Sequence, residues 1–239
     1  MDPSEDSSQV IDWVPTLLGQ ISHSLELAAP EQILRWAVET FGDGVCIGTA
    51  FGRSGMAMID MALAIKPDID IFYIDTGLFF ADTYALIDAA QRHYGRTFRR
   101  VTPSSTVREQ EQVHGDRLWT RQPDRCCQLR KVVPLRRALE GRAAWLTALR
   151  RDQSPTRAQS PLVSWDPRRH VVKLSPLVNV TEAEVDRYIE EGCVPYNPLH
   201  DQGYPSVGCV PCTQAVSPGE DLRSGRWAGT GKTECGLHR

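Results

Sequence analysis

Short apolar runs that alternate with helical segments constrain this chain most. Val45-Cys46-Ile47-Gly48-Thr49-Ala50 reads as a strand running into Phe51-Gly52-Arg53-Ser54-Gly55, with an apolar helix expected from Met56 to Ile65. A second run, Ile69-Asp70-Ile71-Phe72-Tyr73-Ile74, ends in the turn Asp75-Thr76-Gly77, and a helix is expected from about Asp82 to Tyr94. Thr97-Phe98-Arg99-Arg100-Val101 is a third strand candidate. Such alternation implies βαβ units, hence an α/β fold with a twisted, mainly parallel sheet and flanking helices. Ligands of such sheets bind beyond the carboxyl ends of the strands, which draws attention to Gly52-Arg53-Ser54-Gly55 and Asp75-Thr76-Gly77.

Upstream, helical spacing begins near Trp13 and Leu17, and the apolar stripe Ile33, Leu34, Ala37, Val38 and Phe41 marks a helix from Pro30 to Phe41. Residues 1 to 9 read as a frayed tail. Downstream, Ala143-Ala144-Trp145-Leu146-Thr147-Ala148 reads as a buried strand and Val171-Val172-Lys173-Leu174 as a late one. Thr181 is a helix N-cap before an acidic first turn, with the helix running to about Glu191. From Gly192 the chain is rich in Gly and Pro and too long for an ordinary connection, so it is functional or disordered. The expected organisation is an N-terminal helical extension (1–29), an α/β domain (30–212) and a mobile C-terminal tail (213–239). No internal repeat is visible.

The 239 residues carry 27 Lys+Arg against 30 Asp+Glu, a net charge of −3, which argues against a scaffold for duplex nucleic acid. The acidic start Met1-Asp2-Pro3-Ser4-Glu5-Asp6 is unlike a secretory signal, and no apolar run approaches the roughly 18 residues of a membrane span. A soluble cytoplasmic protein is the expectation, and there structural disulfides are rare.

That makes the seven cysteines chemically telling. Cys209 and Cys212 stand in a Gly208-Cys209-Val210-Pro211-Cys212 turn, and Cys126 and Cys127 are adjacent. Four thiolates suit zinc or an iron–sulfur cluster. Adjacent residues on a regular helix point about 100° apart, which favours the wider ligand spread of a [4Fe–4S] cluster. Arg130 and Lys131 follow Cys126 and Cys127 by four residues each, so each cation shares a helix face with a cysteine and offsets the negative charge of a thiolate cluster. Pro134 should bend or interrupt this helix.

Cys235 differs in kind. It lies on a Gly-flanked tail beside Lys232, His238 and Arg239, an accessible positive setting that lowers a thiol pKa and marks a nucleophile candidate. An incidental tail thiol is the plain alternative. Cys46 reads as a core residue and Cys193 as structural. Trp119, Trp165 and Trp227 read as packing residues, with Trp227 also a candidate contact for a reductant. His23, His93, His114 and His170 lack ligand spacing, and His200 reads as a structural hydrogen-bonding residue.

Three segments together resemble the assimilatory sulfonucleotide reductases: Cys126-Cys127-Gln128-Leu129-Arg130-Lys131, the stretch from Tyr196-Asn197-Pro198-Leu199-His200 to Gly208-Cys209-Val210-Pro211-Cys212-Thr213, and Glu234-Cys235-Gly236-Leu237-His238. The double-cysteine form resembles the adenylyl-sulfate (APS) reductases. Relatives acting on the 3′-phosphorylated substrate (PAPS) usually keep the terminal motif and lack the four cysteines. Cluster-bearing members that accept both substrates keep a PAPS or dual-specificity reading open.

The resemblance implies an ATP-pyrophosphatase-like fold with a phosphate loop at Gly52-Arg53-Ser54-Gly55 and Asp75-Thr76-Gly77 along the nucleotide. It also implies an arginine loop at Arg150-Arg151-Asp152-Gln153-Ser154-Pro155-Thr156-Arg157. Ser54, Thr76, Lys131, Arg151, Arg223, Arg226 and His238 are the implied substrate contacts. Cys126, Cys127, Cys209 and Cys212 are the implied ligands of one [4Fe–4S] cluster. The implied chemistry is attack of the Cys235 thiolate on the sulfuryl sulfur of APS, expelling AMP. Thioredoxin, or glutaredoxin in its place, would then release sulfite. Gly219, Gly225, Gly229, Gly231 and Gly236 are expected to let the tail move. A homo-oligomer is left open.

Two departures touch the nucleotide contacts. Met56-Ala57-Met58 stands where the family loop is often acidic, and Ala148-Leu149 stands where a Gly usually precedes the arginine loop. Arg99-Arg100 and Arg168-Arg169 are candidates for a 3′-phosphate pocket, with solvated faces as the plainer reading. A four-cysteine zinc module for RNA or protein gives no reason for the Cys235 tail. A tRNA sulfur transferase would need a complete Ser-Gly-Gly-x-Asp-Ser loop, which the chain lacks.

Overall fold

The computed structural model describes residues 15–217 and 219–238; the segment 1–9 and Trp13 lie outside them. A six-stranded sheet runs in the order β3-β2-β1-β4-β6-β5, with β1 (Val45–Thr49), β2 (Asp70–Ile74), β3 (Arg99–Val101), β4 (Ala144–Leu146), β5 (Val163–Asp166) and β6 (Val171–Leu174). All pairings are parallel except β5 on β6, in which Trp165 faces Val172. The expected mainly parallel α/β sheet is therefore present. Strand β5 is an addition that periodicity did not reveal, being short, antiparallel and at the sheet edge.

Helix α1 (Pro15–Ser24) buries Leu18, and α2 (Pro30–Phe41) buries Ile33, Leu34 and Ala37, all in one core beneath β1 and β4. Helix α3 (Arg53–Ile65) begins three residues earlier than expected, with Gly52 as N-cap, so Ser54 and Gly55 form its first turn and not a loop. A side chain at Gly55 would place a Cβ 2.9 Å from Thr49 Oγ1, so glycine lets the helix start tight against β1. Helix α4 (Ala81–His93) and helix α9 (Glu182–Glu191) are fastened to α3 through Asp60, which accepts from Tyr94 Oη at 3.0 Å and Tyr188 Oη at 2.8 Å. Thr181 caps α9 as expected: its Oγ1 accepts from Glu184 N at 3.3 Å, and Glu184 accepts from Thr181 N at 2.8 Å.

Between β3 and β4 the chain forms α5 (Val107–His114), α6 (Leu118–Arg121), α7 (Pro123–Cys127) and α8 (Val133–Ala138). A π-helical turn, Gln128–Val132, joins α7 to α8. The sequence has Pro134 bending or interrupting the helix, and the regular α-helix is interrupted here, with Pro134 in the first turn of α8 where its missing N–H is tolerated. On the sheet face opposite the main core, Cys46, Phe72, Leu135, Ala138, Leu139, Trp145 and Val171 form a second apolar cluster, and Leu237 of the tail packs against it.

The chain leaves β1 toward β2 on one side and returns through β4 on the other. The crevice at the carboxyl ends of β1 and β4 is thus the switch point of the sheet, where such folds bind their ligands.

Candidate active site

A cavity of about 250 Å³ opens at that crevice. Its floor comes from Gly48 and Thr49 of β1, Ser54 and Gly55 of α3, Trp145 of β4 and the Thr147–Arg150 segment that follows. A Cβ on Gly48 would lie 2.6 Å from Trp145 Nε1 and 2.9 Å from Phe72 Cζ, so this glycine makes room for the indole. Arg150 is 1 % exposed. It donates to Ser54 Oγ, to Glu182 and, at 2.9 Å, to Asp152 Oδ1. The first turn of α3 thereby gains a fixed positive group beside its own free amides.

The tail supplies the roof: Arg223, Arg226, Trp227, Cys235, Leu237 and His238 all line the cavity. Arg226 lies across Gly208, where a Cβ would sit 2.2 Å from the guanidinium, and donates to Cys212 O at 3.2 Å and Val207 O at 3.3 Å. Backbone bonds Gln214 N to Gly225 O (2.8 Å) and Trp227 N to Cys212 O (3.1 Å) pair Thr213–Gln214 with Gly225–Trp227 beside the Cys209–Cys212 turn. Gly225 is therefore a close-approach glycine, its absent Cβ 2.2 Å from Gln214 O, and not one of the flexible positions expected. Trp227 is 4 % exposed, with Arg226 at 4.6 Å, Lys232 at 5.6 Å and Lys131 and Arg223 at 5.9 Å from its ring. In this docked arrangement Trp227 is a buried packing residue, as the sequence reading has it.

His238 stacks on Trp145 at 5.5 Å between ring centroids. Burial, then the charges of Lys173, Arg157, Arg169 and Arg223, hold its imidazole well below the usual histidine range, so it is neutral at physiological pH. Burial also pushes Lys173 down to about 8, partly countered by Asp166. His200, a cavity-lining residue, is pushed down to about 4 by burial and by Arg53.

Behind the cavity, Cys126, Cys127, Cys209 and Cys212 line one small space with Leu78, Trp119, Arg130 and Lys131. All four are free thiols. Val210 N donates to Leu78 O at 2.8 Å, which ties the second cysteine pair to the loop after β2. Thr76 Oγ1 lies 3.3 Å from Cys209 Sγ and also faces the larger cavity. Lys131 borders both spaces. Arg130 donates to Thr76 O at 2.5 Å and Ser105 O at 3.2 Å. Among the described residues, no group of three or more His, Cys, Asp or Glu is gathered to hold a metal ion.

The crevice thus brings together Ser54, Thr76, Lys131, Arg223, Arg226, His238 and Cys235. Arg151 is the exception: it does not line the cavity, whereas its neighbour Arg150 does. The Arg151 guanidinium turns away from the cavity to Glu26, Asn179 and Ser160 O. Arg157, at the end of the expected arginine loop, also lines the cavity, as do Trp145 and Glu182, which the sequence marks only as strand and helix residues. Asp75 is buried and engaged by Tyr84, Arg100 and Gly77 N, so it shapes its turn while Thr76 faces the cavity. Arg99 pairs with Asp70 and Arg169 with Asp166, and none of Arg99, Arg100, Arg168 and Arg169 lines the cavity. Cys46 is a core thiol as read, its pKa pushed up to about 12 by burial, whereas Cys193 is exposed.

Residues 44–215 match the phosphoadenosine phosphosulfate reductase domain. This chain belongs to that family. It is 45 % identical over 227 residues to the adenosine 5′-phosphosulfate reductase of Salinibacter ruber, covering 95 % of this chain and 90 % of that one. Identity to adenosine 5′-phosphosulfate reductase 1 of Bacillus subtilis is 47 % (86 % and 89 % covered), and to the Shouchella clausii enzyme 50 % (86 % of each). A crystal structure of phosphoadenylyl-sulfate (PAPS) reductase from Candida auris, in a phosphate complex, superposes with a TM-score of 0.76 at 33 % identity, covering 86 % of this chain and 99 % of that one. Candida glabrata FMN adenylyltransferase, at 13 % identity and a TM-score of 0.56 (84 % and 74 % covered), shares the fold alone. Among the described residues no helix is long and apolar enough to cross a membrane.

Proposed function

We propose that this family member is an adenylyl-sulfate reductase, converting APS to sulfite and AMP by thiol chemistry at Cys235. The observation that carries this reading is the placement of one tail cysteine on a cavity also lined by Lys131, Arg150, Arg157, Arg223 and Arg226. A phosphosulfate is a compact polyanion, and fixed cations in a water-poor crevice favour both its binding and the charge that builds on the leaving phosphate. The Cys235 thiolate attacks sulfur, a new S–S bond forms, and the S–O bond to the phosphate of AMP breaks. Cys235 then carries an S-sulfo group. A thiolate of thioredoxin attacks the Cys235 sulfur, sulfite departs with the electron pair of the S–S bond, and a mixed disulfide remains. The second thioredoxin cysteine resolves it, so the two electrons come from the reductant. Neutral His238 offers a hydrogen bond to an oxygen without adding charge.

The relatives named adenosine 5′-phosphosulfate reductase support APS over PAPS, and Arg99 and Arg169, the candidates for a 3′-phosphate contact, are engaged by Asp70 and Asp166 away from the cavity. Comparing kcat/KM for APS and PAPS tests that preference, and a higher value for PAPS overturns it.

The four cysteines fit a [4Fe–4S] cluster in donor chemistry and shared location, four free thiols on one space beside Arg130 and Lys131, while their side chains are not drawn together around a single ion in this structure. Cys126, Cys127, Cys209 and Cys212 would hold it. When bound it supplies a dianionic charge behind Lys131 and a structural clasp between α7 and the Cys209–Cys212 turn. Anaerobic purification with iron and sulfide analysis checks this, and a colourless protein with stoichiometric zinc rejects it. Incubation with APS and no reductant should add one SO₃ to Cys235 by peptide mass spectrometry. Cys235→Ser should form no adduct while keeping AMP binding and colour. Sulfite production by Cys235→Ser sinks the assignment.

A further inference from the structure

Glu234 precedes the proposed nucleophile and is not among the substrate contacts. Glu234 is buried, and its carboxylate makes a forked pair with Arg157: Nε to Oε1 at 2.7 Å and Nη2 to Oε2 at 2.9 Å. Arg223 Nη2 donates to Oε2 as well, at 3.1 Å, and to Thr233 O at 3.2 Å. Burial works against the charged carboxylate, but the bonds and charge of Arg157, then Arg223 and Arg226, hold it below the ordinary range. Arg157 ends the turn Pro155–Arg157 of the α/β body, whereas Arg223 belongs to the folded-back part of the tail. Both arginines line the cavity and Glu234 does not.

Residues 231–238 are thus tied to the body from behind the cavity wall, one residue from Cys235. Their other anchors are slight: Lys232 on Asp124, Leu237 against the second apolar cluster, and His238 on Trp145. Forked, charge-assisted pairs fix direction as well as distance, which a thiol in line with a sulfuryl group requires.

We propose that Glu234 is a positioning residue whose clamp by Arg157 and Arg223 holds Cys235 at the cavity for attack and must open before the tail meets its reductant. This rests on the reading of Cys235 as nucleophile. Two partial reactions should therefore respond differently. Loss of the clamp slows S-sulfo formation and leaves reductive release of sulfite as fast as before or faster. Loss of a neighbouring negative charge alone predicts the reverse for the first step, because it favours the thiolate.

The test uses the anaerobically purified full chain with Glu234→Gln and Glu234→Asp. Single-turnover adduct formation with APS should fall about ten-fold or more in Glu234→Gln, the scale of a lost charged hydrogen bond. Hydrogen–deuterium exchange of the 231–238 peptide should speed up by a similar factor. Release of sulfite from preformed adduct by thioredoxin should not slow, and AMP affinity should stay within about two-fold, since ionic anchors at other sites remain. Glu234→Asp, which keeps the charge with a shorter reach, should recover part of the attack rate. Unchanged adduct rate and exchange in Glu234→Gln overturn the proposal, as does a fall in adduct rate matched by an equal fall in AMP affinity. Should Glu234→Gln not fold, the same readouts on Glu234→Asp decide, with no change in either sinking the clamp. If wild type forms no adduct, the Cys235 reading fails while the exchange comparison still decides whether Glu234 holds the tail.

Discussion

The cavity has a floor and a roof built by different physics. The floor stands on the β1–β4 ladder, where Cys46 pairs with Trp145 and Ile47 with Leu146, and on a buried arginine threaded between three partners. The roof is a tail with short backbone pairings up to Trp227 and mostly side-chain pairing beyond it. Stability resides in the floor and the proposed chemistry in the roof. A few side-chain charge pairs can change partners without unzipping a run of backbone bonds, so a tail proposed to serve two sites is better fastened by them than by a sheet ladder.

The largest stability effect should therefore come from the floor. Arg150→Met removes the donor that satisfies Ser54, Asp152 and Glu182 at once. The carboxylates are about one-third exposed and recover some hydration, so the loss should be roughly 3 kcal/mol in urea unfolding. A loss under about 1 kcal/mol would mean that the floor is no firmer than the roof. Gly48→Ala comes next. Its Cβ would crowd Trp145 and Phe72 at the base of the cavity, and overpacking of this kind costs about 2 kcal/mol. Weaker AMP binding should accompany it, measured by calorimetry.

Floor and roof also differ in how much of them the sequence displays. Strands β1, β2, β4 and β6 sit on apolar runs that stand out, because a parallel sheet covered on both faces buries consecutive residues. Strand β5 interrupts its apolar residues with Ser164 and Asp166 and is only half covered. Helices α5 and α6 left no pattern: α5 buries Gln110 alone, and α6 is one turn long. The cysteines, Lys131, Arg223, Arg226 and His238 were legible through their motifs. Glu234 and Arg157 were in view but their pairing was not, since 77 residues separate them and only the folded tail brings them together.

The roof should reveal itself through pH. Docked His238 is held neutral by burial and by Lys173, Arg157, Arg169 and Arg223, whereas an undocked or unfolded histidine titrates near 6.5. Its folded pKa is depressed, so below about pH 6.5 the undocked form binds a proton that the docked form refuses. The stability it contributes is complete above that pH and lost as pH falls. Between about pH 7.5 and 5.5 wild type should lose about 1 kcal/mol relative to His238→Asn, since the group is partly exposed and the ceiling is about 1.4 kcal/mol per unit. Unfolding titrations of both proteins measure this, with exchange at residues 231–238 as a local readout. Parallel pH curves would place His238 outside the roof.

Arg151→Ala should have the smallest effect, and it separates two adjacent residues that a sequence presents as equals. Arg150 points inward because Ser54, Asp152 and Glu182 enclose it, and Arg151 points outward because Glu26 and Asn179 await it. The Arg151–Glu26 pair leaves 29 % and 34 % of its side chains exposed, so solvent screens it. Its loss should cost under about 1 kcal/mol and loosen the contact between the 24–29 segment and the loop after β4. Turnover of APS should stay at the wild-type level, because no atom of Arg151 borders the cavity. A selective rise in KM for APS in Arg151→Ala, with unfolding unchanged, would show that the loop rearranges when substrate binds and that the floor is the moving half.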